Sequence, residues 1–450
     1  MGSRTSLKAF LATARKALAS APPERPTPLT FVVGNESADL DSLCSALLYA
    51  YFRTHIPPHT LHIPLSNLPR ADLALRPELN AVLAPAGLTT NDLITLSDLP
   101  PAPSTNGNGT SEGKHPLRPE DTRWLLVDHN VLTGELASRF LPKGGGAGAG
   151  GGRIIGCVDH HDDEGVVPKE GIDVRVFARC GSCMSLVLDQ CKDVWEQLSR
   201  GDAKVSAATG QRSTVDGAEC DAQIAYVALA PILSDTINLT SQDKTTEWDV
   251  KAVEMAEAKL LQGKKRAGDA SAAVLNGAES AGYDRTRYFQ QINQLKEDIL
   301  GMSYRDILRK DFKRWAEGTL AVGMSTVPQG FEYALNNVGD KHLFLSALRD
   351  WAAEQKLDIA AVMTVSTVNG VFTRELLIWG FDENAVKAVK AFKAKYGDEL
   401  GLERWRNGEL DGSNDTQREL RVCWIQRSIR HSRKQVAPML REAMKDAAKL

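Results

Sequence analysis

Residues 29–51 read LTFVVGNESADLDSLCSALLYAY, and the order of the parts decides the fold class. Leu29 to Val33 is a short, β-rich apolar run of the kind that forms a buried parallel strand. Gly34 to Asp41 is a polar turn, and Ser42 to Tyr51, rich in Ala and Leu, reads as a helix. A strand running through a tight turn into a helix is the unit of an α/β protein. Asp39 and Asp41 both sit in that turn, where ligands of open α/β sheets collect beyond the carboxyl ends of the strands. Helix capping accounts for one of the two acids but not for both.

The rest of the chain is built in the same way. Trp124 to Val127 is a second apolar strand that runs into Asp128-His129-Asn130. Arg153 to Val158 (RIIGCV) is a third, ending in Asp159-His160-His161. Gly181 to Cys191 reads as a helix starting at Ser182, and Asp221 to Leu233 as a buried helix terminating at Ser234-Asp235-Thr236. Between these lie polar, Gly- or Pro-rich inserts near 101–119, 143–152 and 200–220. The run Gly144 to Gly152 lacks the GK[ST] ending of a phosphate loop. The segment Arg53 to Pro100 is Pro-rich, with two short helical patches.

A stretch of Ala, Gly and Ser from Ala267 to Gly282 marks a domain boundary, dividing the chain into 1–280 and 281–450. Beyond it the pattern predicts helices from Phe289 toward Leu300 and from Tyr304 to Trp315. The second carries Arg305, Arg309, Lys310, Lys313 and Arg314. Strands are expected near Leu320 to Val327, Ile359 to Val368 and Val371 to Trp379. A basic segment, Arg427 to Lys434, follows.

Composition narrows the class. A chain of 450 residues holds two or three domains, and a net charge of −3 gives no reason to expect nucleic-acid or membrane-surface binding. Seven scattered cysteines argue against a disulfide framework and for a reducing compartment. Cys180 and Cys183 have no second pair to complete a zinc pattern, and no apolar run is long enough to span a bilayer. The basic N-terminus has the composition of a transit peptide, and Met1-Gly2 with Ser6 fits the myristoylation pattern. The spacing of Leu7, Phe10, Leu11, Ala14 and Leu18 instead predicts an amphipathic helix packed on the sheet, close to the first strand. The expected location is cytoplasmic, with the mitochondrial matrix as the alternative.

Four segments therefore place carboxylate or imidazole groups directly after apolar elements: Asp39/Asp41, Asp128, Asp159/His160/His161 and Asp235. Strand ends of a parallel sheet share one edge, so these groups can converge. Carboxylates with imidazoles suit Mg²⁺, Mn²⁺ or Co²⁺, and so many acids in one crevice would repel strongly without cations. Shared between two ions, they fit the clamp of ~3.5–4 Å spacing used in phosphoryl chemistry.

The motifs GNESADLDS, LLVDHN, GCVDHH and ILSDT resemble the four motifs of the DHH phosphoesterase superfamily. Asp311-Phe312-Lys313 and Ser432-Arg433-Lys434-Gln435 resemble the DxK and SRK motifs of its DHHA2 domain. Among DHHA2 members the chain is most similar to the fungal exopolyphosphatases, with family II pyrophosphatases and prune-type proteins as relatives. The resemblance implies a DHH domain with a mainly parallel sheet, a smaller α/β DHHA2 domain with a mixed sheet, and an active site in the cleft between them. It implies that Asp39 and Asp41 each serve one divalent cation, that Asp128 bridges both, and that His160 and Asp235 complete the second. His161 and Asn35 would face substrate, and Lys313, Arg430, Arg433 and Lys434 would hold phosphate oxygens, with Asp128, His161, Lys313 and Arg433 as the catalytic set. Cations with charge-assisted hydrogen bonds suit that task. The implied enzyme is a monomer that releases orthophosphate from the ends of linear polyphosphate.

Pyrophosphatases carry His where this chain has Asn35, which argues against the two-phosphate substrate. A prune-like short-chain polyphosphatase or nucleotide phosphodiesterase is a further alternative, as is a DHH exonuclease. Against the exonuclease stand the missing GGxH-type motif and the lack of interleaved aromatics for base stacking in the basic segment. A non-catalytic regulatory protein would be expected to have lost metal ligands.

Overall fold

The computed structural model describes residues 5–22, 24–102, 115–141, 152–200, 217–267, 283–368, 370–413 and 418–447. Met1-Gly2, the insert run Gly144 to Gly152 except its last residue, most of the inserts near 101–119 and 200–220, and nearly all of Ala267 to Gly282 lie outside them. The chain forms two units, Met1–Leu295 and Lys296–Leu450.

In unit 1 the Ser6 hydroxyl accepts the Ala9 N–H and opens α1 (Leu7–Ala19), whose Leu7, Phe10, Leu11, Ala14 and Leu18 are all buried. It is the packed amphipathic helix that the spacing predicts. In order follow β1 (Leu29–Val33), α2 (Leu40–Thr54), β2 (His62–Leu65), α3 (Glu78–Leu83), β3 (Thr122–Val127), α4 (Gly134–Phe140), β4 (Ile154–Asp159), β5 (Val174–Phe177), α5 (Cys183–Arg200), α6 (Gly217–Asp235), α7 (Glu247–Ala267) and α8 (Arg285–Glu297). The five strands make one parallel sheet in the order β2-β1-β3-β4-β5. Alternate residues of each strand feed opposite faces. Val32, Leu125, Val127 and Val158 face the core under α2, α5, α6 and α7. Phe31, Val33, Trp124 and Leu126 face the layer that includes α4. Phe31 and Trp124 are register partners whose rings stack 4.8 Å apart.

Two strands escape the sequence pattern. β2 (HIPL) contains Pro64, which an edge position tolerates because its missing N–H faces no neighbour. β5 (VRVF) is the other edge and only half-buried, so it lacks a continuous apolar signature. Gly217 to Glu219, read as part of an insert, begin α6. The division falls at Leu295 and not at 280 because Tyr288 and Ile292 of α8 pack into the unit 1 core.

Unit 2 continues with α9 (Tyr304–Lys310), β6 (Phe312–Glu317), β7 (Leu320–Val327), α10 (Phe331–Asn337), α11 (Lys341–Glu354), β8 (Ile359–Thr364), β9 (Ser366–Val368), β10 (Val371–Thr373), β11 (Glu375–Gly380), α12 (Glu383–Leu400), β12 (Leu402–Arg404), β13 (Gly412–Ser413), β14 (Leu420–Gln426) and α13 (Arg433–Ala447). Its sheet is mixed, in the order β12-β14-β11-β8-β7-β6, and β13 also pairs with β14. Only β7 and β8 run parallel among its described pairs. One face packs on α12 and α13, the other on α9, α10 and α11.

The helix expected from Tyr304 to Trp315 is instead a helix and a strand. It stops at Asp311, whose carbonyl accepts an Arg433 N–H, and Phe312–Glu317 enters a hairpin with β7. Gly318-Thr319 closes that hairpin, with Gly318 at φ +60°, a conformation open to glycine at little cost.

Candidate metal centre

The order β2-β1-β3-β4-β5 reverses direction between β1 and β3, the switch point where doubly wound sheets open a crevice at their carboxyl edge. The turn after β1 carries Asn35 and Asp39, Asp41 lies in the first turn of α2, and Asp128 follows β3 directly, so the first two motifs meet there. The third motif is the next neighbour, because β4 ends on Asp159 and pairs with β3.

Asp128 is the centre of the cluster. It is 2% exposed and adopts φ +59°, a left-handed conformation that aspartate tolerates better than most residues. One carboxylate oxygen accepts the Ser42 hydroxyl at 2.6 Å and the Asn35 Nδ2–H at 2.8 Å. The other stands 3.2 Å from His160 Nε2 and 3.8 Å from His161 Nδ1. Asp128, His160 and His161 offer ligand atoms all within 4.8 Å of one another.

Asp41 lies one step away, its Oδ2 4.0 Å from His160 Nε2. It is fixed by the start of α5: Oδ2 accepts the Cys183 N–H at 2.6 Å, and Oδ1 accepts the Met184 N–H at 3.0 Å and the Ser182 hydroxyl at 2.9 Å. The carbonyl just upstream, that of Cys180, takes the His160 Nδ1–H at 3.0 Å. That bond sets the tautomer and leaves the Nε2 lone pair facing Asp128 and Asp41. Burial, then the charge of Asp128, push the Asp41 carboxyl up to about 7. Burial and Asp39 raise Asp128 as well.

Asp39 is half-buried and caps α2, its Oδ1 accepting the Ser42 N–H at 3.0 Å. His161 is oriented by Asp159, whose Oδ1 accepts its Nδ1–H at 2.8 Å. Burial acts to raise Asp159, but His161 and the Asn130 amide hold it well below the usual carboxylate range. The His161 side chain is 25% exposed against 7% for His160, so His161 is the more accessible of the pair. Asp235 ends α6, outside the tight group. Its field joins those of Asp41 and Asp39 on the thiol of Cys44, which burial first of all raises. Its neighbour Thr236 packs against Gly181, where an added Cβ would lie 2.5 Å from Thr236 Cγ2.

Backbone strain marks the same loops. Among the described residues of unit 1, the non-glycine positions with positive φ are Ala38, His59, Asp128, Ile237, Asn238 and Leu239. All but His59 lie within a few residues of Asp39, Asp128 or Asp235, and such strain collects at functional sites.

Asn35 holds the site together from behind. Its Oδ1 accepts the N–H groups of Ser37 and Ala38 while its Nδ2 grips Asp128. Ser42, Asn130 and the turn Cys180–Met184 are parts of the framework that the motifs alone did not single out. Ser42 carried a signal, being a hydroxyl on the turn between two acids and a helix.

In unit 2 the DxK and SRK segments meet. Arg433 Nη1 donates to the Asp311 carbonyl at 2.9 Å and Nη2 to its carboxylate at 2.7 Å. Ser432 and Gln435 form a capping pair at the start of α13, the Ser432 N–H and hydroxyl both donating to Gln435 Oε1. Lys434 and Arg430 are exposed, and Lys313 is half-buried on β6. The loop before α13 is braced by Gln426, which donates to the Ser428 and His431 carbonyls, and by Arg374, which donates to the Ile429 carbonyl at 2.7 Å.

The chemistry of unit 1 fits a divalent cation. Asp128 Oδ1 and His160 Nε2 are both acceptors at 3.2 Å, which repel unless a proton or cation lies between them. Among the described residues, no Lys or Arg hydrogen-bonds to or pairs with Asp41 or Asp128. Oxygen and imidazole donors of this kind suit Mg²⁺, Mn²⁺ and Co²⁺.

The comparisons with known proteins agree with this geometry. The model of the DHHA2 domain matches residues 290–443. A Schizosaccharomyces pombe protein provisionally named an exopolyphosphatase is 30% identical over 423 residues, 93% of this chain and 92% of that protein. Human exopolyphosphatase PRUNE1 is 24% identical over 345 residues, 75% of this chain but 60% of its own length. The crystal structure of a Methanococcus jannaschii protein provisionally named a family II inorganic pyrophosphatase shares the fold, with a TM-score of 0.51 at 19% identity, covering 92% of this chain and 99% of that one. With three acid-bearing motifs at the carboxyl edge of a parallel sheet, a DHHA2 domain and a relative matched along nearly its whole length, the chain belongs to the DHHA2 branch of the DHH phosphoesterase superfamily.

Proposed function

We propose that this protein is an exopolyphosphatase, a metal-dependent hydrolase that releases orthophosphate from the ends of linear polyphosphate. The observation that carries the reading is the convergence of Asp128, His160, His161 and Asp41 at the β1/β3 switch point, in a chain whose full-length relative carries that name. Asp39, Asp41, Asp128, His160 and Asp235 are the residues that would hold two divalent cations, Mg²⁺ or else Mn²⁺ or Co²⁺. When bound, such ions acidify water and neutralise charge on phosphate oxygens.

The chain's own residues do the rest. Cys180 and Asp159 fix the tautomers of His160 and His161, and the more exposed His161 presents Nε2 to a phosphate oxygen. Asn35 and Ser42 hold Asp128 in its strained conformation, so that its free oxygen stays aimed at His160. In unit 2, Lys313, Arg430, Arg433 and Lys434 bind the anionic chain. Arg433 is shared with Asp311, while the exposed Lys434 and the N-terminus of α13 both favour an anion. Seven scattered cysteines fit a reducing compartment, the cytoplasm or else the mitochondrial matrix.

Phosphate release from long-chain polyphosphate, tripolyphosphate, pyrophosphate and a cyclic nucleotide, with Mg²⁺ and with EDTA, tests the proposal. Polyphosphate should be the best substrate, and EDTA should stop the reaction. A higher kcat/KM for pyrophosphate would make the chain a pyrophosphatase, and turnover only of the cyclic nucleotide would make it a phosphodiesterase.

A further inference from the structure

Asp249 is a fully buried carboxylate on the first turn of α7. It accepts five hydrogen bonds. Gly181 N–H (2.9 Å), Ser182 N–H (3.2 Å) and the Ser185 hydroxyl (2.7 Å) come from the start of α5, and the Thr246 N–H and hydroxyl (both 2.8 Å) from its own turn. The next two amides of the α5 turn, Cys183 and Met184, go to Asp41. Four successive N–H groups are thus divided in pairs, two to a carboxylate of the metal centre and two to Asp249 behind it. The carbonyl that precedes them, Cys180, orients His160. Gly181, pressed against Thr236, couples the same turn to the end of the Asp235 helix.

We propose that Asp249 is a positioning residue of the metal centre: by gripping the Gly181 and Ser182 amides it sets the turn that aims Asp41 and His160. It touches neither substrate nor cation, and the inference rests on the metal-centre reading above. A neutral amide cannot replace it. An asparagine side chain has one acceptor oxygen, so however it is turned its NH₂ group faces the N–H of Gly181 or of Ser182. The turn must then shift, carrying the Cys180 carbonyl and the Asp41 donors with it. Partners of this kind behind metal ligands typically change metal affinity by about 10–100-fold.

The experiment compares the full-length wild type, Asp249→Asn and Thr246→Val. Thr246→Val removes one bond to the same carboxylate on the α7 side and leaves the α5 turn alone. Mn²⁺ affinity is read from the electron paramagnetic resonance of free Mn²⁺, stability from thermal unfolding in EDTA, and phosphate release as a function of Mn²⁺ concentration. Asp249→Asn should bind Mn²⁺ at least about tenfold more weakly and recover turnover at high Mn²⁺. Thr246→Val should lose stability but keep its Mn²⁺ affinity. Wild-type Mn²⁺ affinity in Asp249→Asn, or an equal loss in Thr246→Val, overturns the inference. Should Asp249→Asn fail to fold, Asp249→Glu replaces it: the longer side chain keeps the charge but displaces the carboxylate from the Gly181 and Ser182 amides, and an unchanged Mn²⁺ affinity there overturns the inference as well. A wild-type chain that binds no Mn²⁺ overturns the metal-centre reading, and this one with it.

Discussion

Asp128→Asn separates what the acid cluster does for function from what it does to stability. The shape is conserved, and asparagine accepts the left-handed φ of +59°. Its amide oxygen keeps the bonds from Ser42 and Asn35, and its NH₂ gains a partner in the His160 Nε2 lone pair. Only the charge is lost. In the wild type, burial first and Asp128 second lift the Asp41 carboxyl from 3.8 to about 7. Between those values the folded, metal-free chain holds a proton that the unfolded chain has released, so its stability falls as pH rises. Burial persists in the variant, so removing the Asp128 charge should return about 1–2 kcal/mol at pH 8 and nothing at pH 4, where Asp41 is protonated in both proteins. Cations reverse the order. Saturating Mg²⁺ stabilises the wild type by about 2.7 kcal/mol at a hundred times its Kd and the variant by little. Turnover should fall by about a thousandfold or more, as several kcal/mol of charge stabilisation disappear. Urea midpoints at both pH values, with EDTA and with Mg²⁺, provide the assay, alongside phosphate release. A metal-free variant no more stable than wild type at pH 8, or one that keeps more than a tenth of the turnover, refutes the reasoning.

Metal binding should expel protons: calorimetry at pH 6 in buffers of different ionisation enthalpy should show proton release that fades by pH 8.5, because the raised Asp41 carboxyl is then already ionised. Equal release at both values would mean that Asp41 is not displaced from its proton by the ion. Lys434→Ala, at an exposed position, should weaken polyphosphate binding by at least about tenfold, the value of one charged hydrogen bond, while Mn²⁺ titration stays at wild type. Asn35→His exchanges the amide's grip on Asp128 for an imidazole. Metal-free stability should fall by about 1–2 kcal/mol, Mn²⁺ or Co²⁺ affinity should rise, and the kcat/KM ratio should move toward pyrophosphate; unchanged metal affinity would show that position 35 does not reach an ion. Ile237→Gly should stabilise the metal-free protein by about 1 kcal/mol, since a β-branched residue at φ +53° is strained and its side chain is already 47% exposed; a lower melting temperature would show that packing outweighs the strain.

The central strands of unit 1 and their acids were legible in the sequence because burial on both faces leaves an unbroken apolar run, as in Leu29–Val33 and Trp124–Val127; β14 of unit 2, interior to its sheet but only half-buried over Leu420 to Val422, was not. The convergence of Asp41, Asp128 and His160 followed from a general property of parallel sheets, that strand ends share an edge. Edge strands were not legible: β2 carries Pro64, and β5 is half-buried with Arg175 in it. The helix predicted through Trp315 failed because Phe312–Glu317 pairs with β7, the Thr326 N–H taking the Asp311 carbonyl at 2.8 Å beside Arg433, and strand pairing of this kind is not written in the segment's own residues. The framework behind the metal ligands was hidden for a related reason. The Cys180 carbonyl and the amides of Gly181 to Met184 are backbone groups, and backbone groups leave no mark in residue identity. Asp249 did leave one, a Thr-x-x-Asp spacing from Thr246, but that pattern reads equally well as the ordinary start of a helix.

The division of four consecutive amides between two carboxylates gives the molecule an internal clock. Each amide proton is shielded from solvent by the acid that accepts it, so its deuterium uptake reports how often that contact opens. Cys183 and Met184 report on Asp41, and Gly181 and Ser182 on Asp249. Because the four are neighbours on one turn, global unfolding exposes them together and cancels when the pairs are compared. What remains is the local breathing of the Asp41 side alone, residue by residue, so occupancy of the centre becomes readable in a protein that has no substrate present and performs no turnover.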